Sequence, residues 1–190
     1  MDNGPPMFCI PGQHHLPMHN YADINKSAYW TLVFAGVIHD LGTAPFWAGG
    51  RPGLFVHPFP WGHQVFSNRI NKTDDTTIHL AVVHQYCWMG KNKYQHVPDV
   101  SNAHELRKQL LGYDAAIFGD NHKGFLSAPP VDGSIPILNC GGFMRRKSDE
   151  INYEPHVGLI YSDGTITRHK LDCSDDKFID VEARLFNVPW

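Results

Sequence analysis

The stretch Tyr113-Asp114-Ala115-Ala116-Ile117-Phe118-Gly119-Asp120-Asn121-His122 decides how this chain is read. Its apolar run has the length of a buried strand and stops at a glycine, and the next three side chains are a carboxylate, an amide and an imidazole. Two earlier segments end in the same way. Cys9-Ile10-Pro11-Gly12 runs into Gln13-His14-His15, and Ile78-His79-Leu80-Ala81-Val82-Val83 runs into His84-Gln85. A lone histidine such as His84 is more often a hydrogen-bonded structural residue. Repetition changes the weighting, because ligands placed just past strand ends meet at one edge of a sheet, where α/β proteins keep their sites. Converging imidazole, carboxylate and amide oxygen donors bind Mn, Fe, Zn or Ni, so the three strand ends point to one shared metal site.

Working outward, Asn102 reads as a helix N-cap with Glu105 as its capping-box partner, and Gly112 as the stop before the decisive strand. That helix-then-strand order is the signature of α/β layering. Met7 to Ile10, Gly53 to His57, Thr76 to Val83 and Ser134 to Asn139 read as further strands, and a helix is expected from Asn25 through Val37. Residues 43 to 63, rich in Pro, Gly, Trp and Phe, read as loops and short strands. His156 to Tyr161 and Thr165 to Arg168, joined across Ser162-Asp163-Gly164, form a hairpin with an Asp-Gly turn. No repeat, low-complexity tract or linker divides the chain, which reads as a single domain over residues 1–190.

Composition narrows the function. With 190 residues and 42% hydrophobic content the chain can bury a core, which excludes disorder as the default. A net charge of -3 does not advertise a nucleic-acid-binding surface, and Arg145, Arg146 and Lys147 are the one tight basic cluster. Thirteen histidines are many for this length, and imidazole is the commonest ligand for transition metals. Cys9, Cys87, Cys140 and Cys173 form no Cys-x-x-Cys pair and read as structural thiols of a reducing compartment. Met1 to Pro6 lacks the basic-then-apolar order of a secretory signal, and the longest apolar stretch, Ala28 to Ile38, is too short to span ~30 Å of hydrocarbon. The expectation is a cytoplasmic protein without a membrane span.

Four blocks together carry a family resemblance: Gly12-Gln13-His14-His15, Val83-His84, Gly119-Asp120-Asn121-His122, and Asn139-Cys140-Gly141-Gly142 with Arg145-Arg146. In order and approximate spacing, over residues 8 to 160, they resemble the later blocks of the calcineurin-like metallophosphoesterases, and look most like the DNA-repair exonuclease and phage-encoded members. The resemblance implies an α/β fold, a metallophosphoesterase-like α/β/β/α sandwich missing its first strands. It implies two divalent metal ions, Mn before Fe, Zn or Ni, with His84 a ligand of one and His122 of the other. Gln13 stands where the family has a metal-binding Asn, and Asp120 where it has a metal-binding His. His14 matches the histidine that contacts the substrate phosphate and protonates the leaving alkoxide, a task suited to a pKa near neutrality. His15 replaces the Asp that orients that imidazole in the family.

The resemblance further implies hydrolysis of phosphomonoesters or phosphodiesters, DNA among them, by a metal-bound hydroxide. Arg145 and Arg146 are candidate phosphate-binding residues, and Tyr86, Trp88 and Phe125 are candidates for stacking on a base. The family's first two blocks, an Asp-x-His and a Gly-Asp, have no counterpart in the eleven residues before Gly12. Asp23, Asp40, Asp74 and Asp75 do not read as strand-end substitutes for them. An incomplete subunit acting as an interaction module, a homodimer, and a partner chain that supplies the absent ligands are therefore the competing expectations, because an unpaired sheet edge invites pairing. A histidine-rich zinc module without hydrolysis is a third.

Overall fold

A computed structural model of the chain describes residues 4–50, 53–65, 76–127, 135–145 and 150–177. It is a mixed α/β structure built on a six-stranded sheet. In chain order the strands are β1 (Phe8–Cys9), β2 (His39–Asp40), β3 (Phe46–Trp47), β4 (Leu54–Phe59), β5 (Ile78–His84), β6 (Ala115–Gly119), β7 (Phe125–Ser127), β8 (Ile137–Asn139), β9 (His156–Ile160) and β10 (Ile166–Lys170). The helices are α1 (Ala28–Phe34) and α2 (Ala103–Arg107). The main sheet has the order β3-β4-β5-β6-β8-β7. Its four central strands are parallel, and both edge strands run antiparallel to their neighbours.

Parallel strands buried on both faces need apolar side chains at consecutive positions, and this is why the Ile78 to Val83 and Ala115 to Phe118 runs are nearly continuous. The faces separate into two cores. Ala81, Val83, Ala116, Phe118 and Ile137 pack with Ala103, Leu106 and Leu110 of the α2 region. On the other side Val56, Leu80, Ala115 and Leu138 pack with Ile160 and Ile166 of the β9–β10 hairpin. The hairpin approaches closely: a Cβ on Gly158 would stand 2.2 Å from Cδ2 of Leu138.

The hairpin turns where the sequence indicates, with Gly164 at φ 81 and Oδ1 of Asp163 accepting the Thr165 amide at 2.8 Å. The strand expected from Ser134 begins at Ile137, Ile135 and Pro136 lying outside it, and Ser134 itself lies outside the described residues. The helix expected from Asn25 through Val37 is shorter. Residues Tyr21–Lys26 form a 3-10 segment, Ser27 starts α1 by accepting the Trp30 amide through Oγ at 3.1 Å, and the chain turns at Gly36 with φ 69. Asn102 does cap α2, its Oδ1 accepting the His104 amide at 2.9 Å, while Glu105 pairs with Lys108 at 2.7 Å. Among the described residues no helix is long and apolar enough to cross a membrane.

β1 and β2 form a separate two-stranded parallel pair, Phe8 opposite His39 and Cys9 opposite Asp40. It is joined to the rest through Phe8 against Phe46, with ring centroids 5.0 Å apart, and through the Tyr29 hydroxyl. That hydroxyl donates to Oδ1 of Asp40 at 2.7 Å and contacts the Cys9 carbonyl oxygen at 3.1 Å. Asp40 thus ends a strand, contrary to the sequence reading, because a two-residue strand leaves no periodicity to detect. Asp23 sits in a 3-10 turn bound to Lys26, and Asp74 and Asp75 lie outside the described residues.

Candidate functional site

The parallel strands β5, β6 and β8 end side by side, His84 lying opposite Gly119 and Phe118 opposite Asn139. Just beyond their carboxyl ends a cavity of ≈ 450 Å³ opens. Gln13, His14, His84, Asp120 and His122 all line it, together with the Gly141 turn and Phe143. Three segments far apart in the chain therefore deliver five of the seven sequence-selected residues to one place.

His84 continues the face of Leu80 and Val82 and lies between two glycines. A Cβ on Gly12 would stand 2.4 Å from its Cε1 and Nε2, and one on Gly119 would stand 3.1 Å from its Nδ1. The glycines of two sequence blocks are thus needed for the same ring. Nε2 of His84 lies 2.7 Å from Oε1 of Gln13, and the Gln13 amide nitrogen donates to Oδ1 of Asp120 at 2.6 Å. Because Oε1 only accepts, the imidazole donates there, and Gln13 bridges histidine to carboxylate. Burial lowers the His84 pKa, Asp120 opposes that shift, and His15 and His14 add to it.

Asp120 is held in the left-handed backbone region at φ 87, where Asp is tolerated better than most residues. Reversal of the chain there sends the next side chain inward. Asn121 is 2% exposed, donates Nδ2 to the carbonyls of Cys87 at 2.8 Å and Asn92 at 3.0 Å, and accepts the Lys123 amide at 2.9 Å. The amide of the opening triplet is an anchor that ties the 85–95 loop to the site.

His122 follows on the outer side of the turn, its side chain 53% exposed. Its Nδ1 lies 3.1 Å from Oε1 of Glu150, a carboxylate only 2% exposed. The Gly142 amide donates to the His122 carbonyl at 3.1 Å, and a Cβ on Gly141 would stand 2.7 Å from that oxygen, so the small-residue loop after β8 clamps the His122 backbone. Glu150 escaped sequence reasoning because it ends a Lys-Ser-Asp-Glu run that reads as solvated surface. Asn139, buried at the cavity wall, accepts the Gly141 amide through Oδ1 at 2.8 Å.

His14 is exposed on the cavity rim, its ring 6.2 Å from that of His19. His15 takes a different role from the Asp that it replaces. Its Nδ1 accepts the Gly12 amide at 2.9 Å and its ring rests on Tyr29 at 5.6 Å, so it braces the 3-10 turn that carries Gln13 and His14. Burial, then His14, lowers its pKa.

Arg145 is placed elsewhere: it donates to the Ile151 carbonyl at 3.0 Å and to Asp176 at 2.6 Å, and it lines a second cavity with Lys170 and Asp172. Arg146 lies outside the described residues. Phe125 is buried in the core, Trp88 lies beneath Lys93 at 4.7 Å, and the Tyr86 hydroxyl is 3.3 Å from the Asn92 carbonyl. All four cysteines are free, Cys87 buried and Cys9, Cys140 and Cys173 partly exposed; burial pushes Cys87 up to about 12 and raises Cys9 and Cys140.

Two imidazoles, a carboxylate and an amide oxygen suit a divalent transition metal chemically. As placed, they are satisfied by one another through Gln13, and among the described residues no three His, Cys, Asp or Glu side chains are grouped to hold a metal ion. Cation binding at this cavity therefore requires the Gln13 amide to give up its bridge. No protein-family model, curated protein or solved structure matches this chain.

Proposed function

We propose that the chain carries a metal-dependent phosphoesterase site, built on a metallophosphoesterase-like α/β/β/α sandwich in which the β9–β10 hairpin belongs to the second β layer. The observation that carries this reading is the convergence of Gln13, His14, His84, Asp120 and His122 on one cavity past the ends of parallel strands. Divalent cations, Mn before Fe, Zn or Ni, supply charge neutralisation and a deprotonated water at neutral pH. The chain's own residues do the rest. His84 and His122 would hold such a cation through imidazole nitrogens, Asp120 through its carboxylate and Gln13 through its amide oxygen once that oxygen is released from His84. His14, at the exposed rim, protonates the departing alkoxide. Substrates are phosphomonoesters or phosphodiesters, with DNA a candidate, and the four free thiols agree with work in the cytoplasm.

A second reading is favoured by the β1–β2 pair. Two strands are marginal on their own. β1 pairs only with β2 among the described residues, while Met7 and Phe8 remain exposed at 60% and 44%. A second polypeptide that adds strands there would complete a split enzyme, and without it the chain would be an interaction module.

The test is Mn²⁺-dependent hydrolysis of a chromogenic phosphodiester by the purified chain, beside His84→Ala. Turnover that disappears in the variant supports a working site in this chain alone. Absence of turnover in both proteins removes that reading and leaves the partner-completed one.

A further inference from the structure

We infer that Glu150 is a positioning residue that holds His122 in the Nδ1–H tautomer, so that Nε2 presents its lone pair to the cavity. The inference rests on the phosphoesterase reading for its purpose and on geometry alone for its content.

A half-exposed histidine needs no protein partner, since water satisfies both nitrogens. A carboxylate at 2% exposure is different, because burying it is costly unless it is hydrogen-bonded. Here the buried group accepts from the exposed one, Oε1 of Glu150 standing 3.1 Å from Nδ1 of His122. A neutral imidazole carries one proton. With a carboxylate facing Nδ1, that proton is drawn there, and Nε2 is left unprotonated. Nε2 has no hydrogen-bond partner among the described residues. The backbone of His122 is clamped by Gly141 and Gly142 and its ring is held by Glu150, so the open nitrogen is fixed in direction as well as in protonation. Carboxylates behind ligating histidines act in this way, raising ligand basicity and fixing the ring.

His84 shows the opposite arrangement, its Nε2 donating to Gln13. Of these two imidazoles among those that line the cavity, His122 is therefore the one that presents an unprotonated nitrogen while the Gln13 bridge is closed.

The experiment is long-range ¹H–¹⁵N NMR on the metal-free, ¹⁵N-labelled chain at about pH 8.5, well above the ordinary imidazole pKa. His122→Asn assigns the His122 signals, and Glu150→Gln is the test variant. The expected result is a dominant Nδ1–H tautomer for His122, with its ratio to Nε2–H falling at least about tenfold in Glu150→Gln, the change expected from losing a charge-assisted hydrogen bond. An Nε2–H tautomer in the unsubstituted chain, or an unchanged ratio in the variant, overturns the inference. If Glu150→Gln does not fold, the tautomer of the unsubstituted chain decides alone. In parallel, calorimetric Mn²⁺ titration is expected to show about 10- to 100-fold weaker binding in Glu150→Gln. A chain that holds the Nδ1–H tautomer and binds no Mn²⁺ would refute the metal reading and leave the positioning by Glu150 in place.

Discussion

Gly12 and His84 are packed so closely that no other residue fits at position 12 without moving the ring, since its Cβ would stand 2.4 Å from two ring atoms. The backbone at Gly12, φ -97 and ψ 173, is open to any residue. The constraint is thus steric contact with one side chain and not turn geometry.

Gly12→Ala is expected to displace His84 and abolish metal-dependent turnover, at a cost in stability of about 1–3 kcal/mol from overpacking. The double variant Gly12→Ala/His84→Ala should regain most of that stability while staying inactive. Urea titration of the four members of the cycle measures the coupling, and additive effects would show that the ring is not what position 12 must accommodate.

Gln13→Glu replaces the donor that faces Asp120 with an acceptor, at a site where the present contact is 2.6 Å. The metal-free protein should lose about 1–2 kcal/mol through the broken bridge and carboxylate repulsion. Mn²⁺ should reverse the loss, because the site gains a negative charge. Thermal melts with and without Mn²⁺ check both signs; a variant that is destabilised equally in both conditions counts against cation binding near Gln13.

The pair formed by half-buried His57 and buried His79, with Nε2 of one 3.0 Å from Nδ1 of the other, predicts acid sensitivity remote from the cavity. Burial, with His79 second, pushes His57 down to about 4. The unfolded chain takes up this proton near pH 6.5 and the folded chain does not. Stability should therefore be flat above about pH 6.5, fall between about 6.5 and 4, and level off below. His15 and His84, also held down by burial, add slope of the same sign. After allowance for solvent screening, the share of His57 is about 1–2 kcal/mol. Denaturant midpoints against pH for the chain and for His57→Phe measure it, and parallel curves would disprove the assignment.

Asn121→Ala removes both buried donors that hold the Cys87 and Asn92 carbonyls. A loss of about 2–3 kcal/mol is expected, with Asn121→Asp worse because an acceptor would then face two carbonyl oxygens. Hydrogen exchange should show the 85–95 loop opening first. Uniform loss of protection across the chain would indicate that the amide supports the whole fold and not that loop.

β5 and β6 were legible because burial on both faces leaves nearly unbroken apolar runs ended by His and Gly, and the hairpin because Asp163-Gly164 demands its turn. β2 and β7, two and three residues long, were not read as strands, and β3 lies in the 43–63 segment that reads only as loops and short strands. Of the site, Gln13, His14, His84, Asp120 and His122 were readable as strand-end chemistry, and the sheet brings them to one cavity. The function of Asn121 and the pairing of Glu150 were hidden, because each depends on which way a turn sends a side chain. Arg145 read as a phosphate-binding candidate by its neighbours in sequence, and in the structure it pairs with Asp176 on a distant segment.

The two hydrogen bonds of Gln13 span 71 and 107 residues of chain. Contacts of such reach, made across parallel strands, form late and slowly. The cavity therefore exists only when nearly the whole sheet has closed, and a ligand held there has nothing to bind in a partly folded chain. Such a ligand should leave the folding rate nearly unchanged and slow the unfolding rate, lengthening the lifetime of the finished molecule.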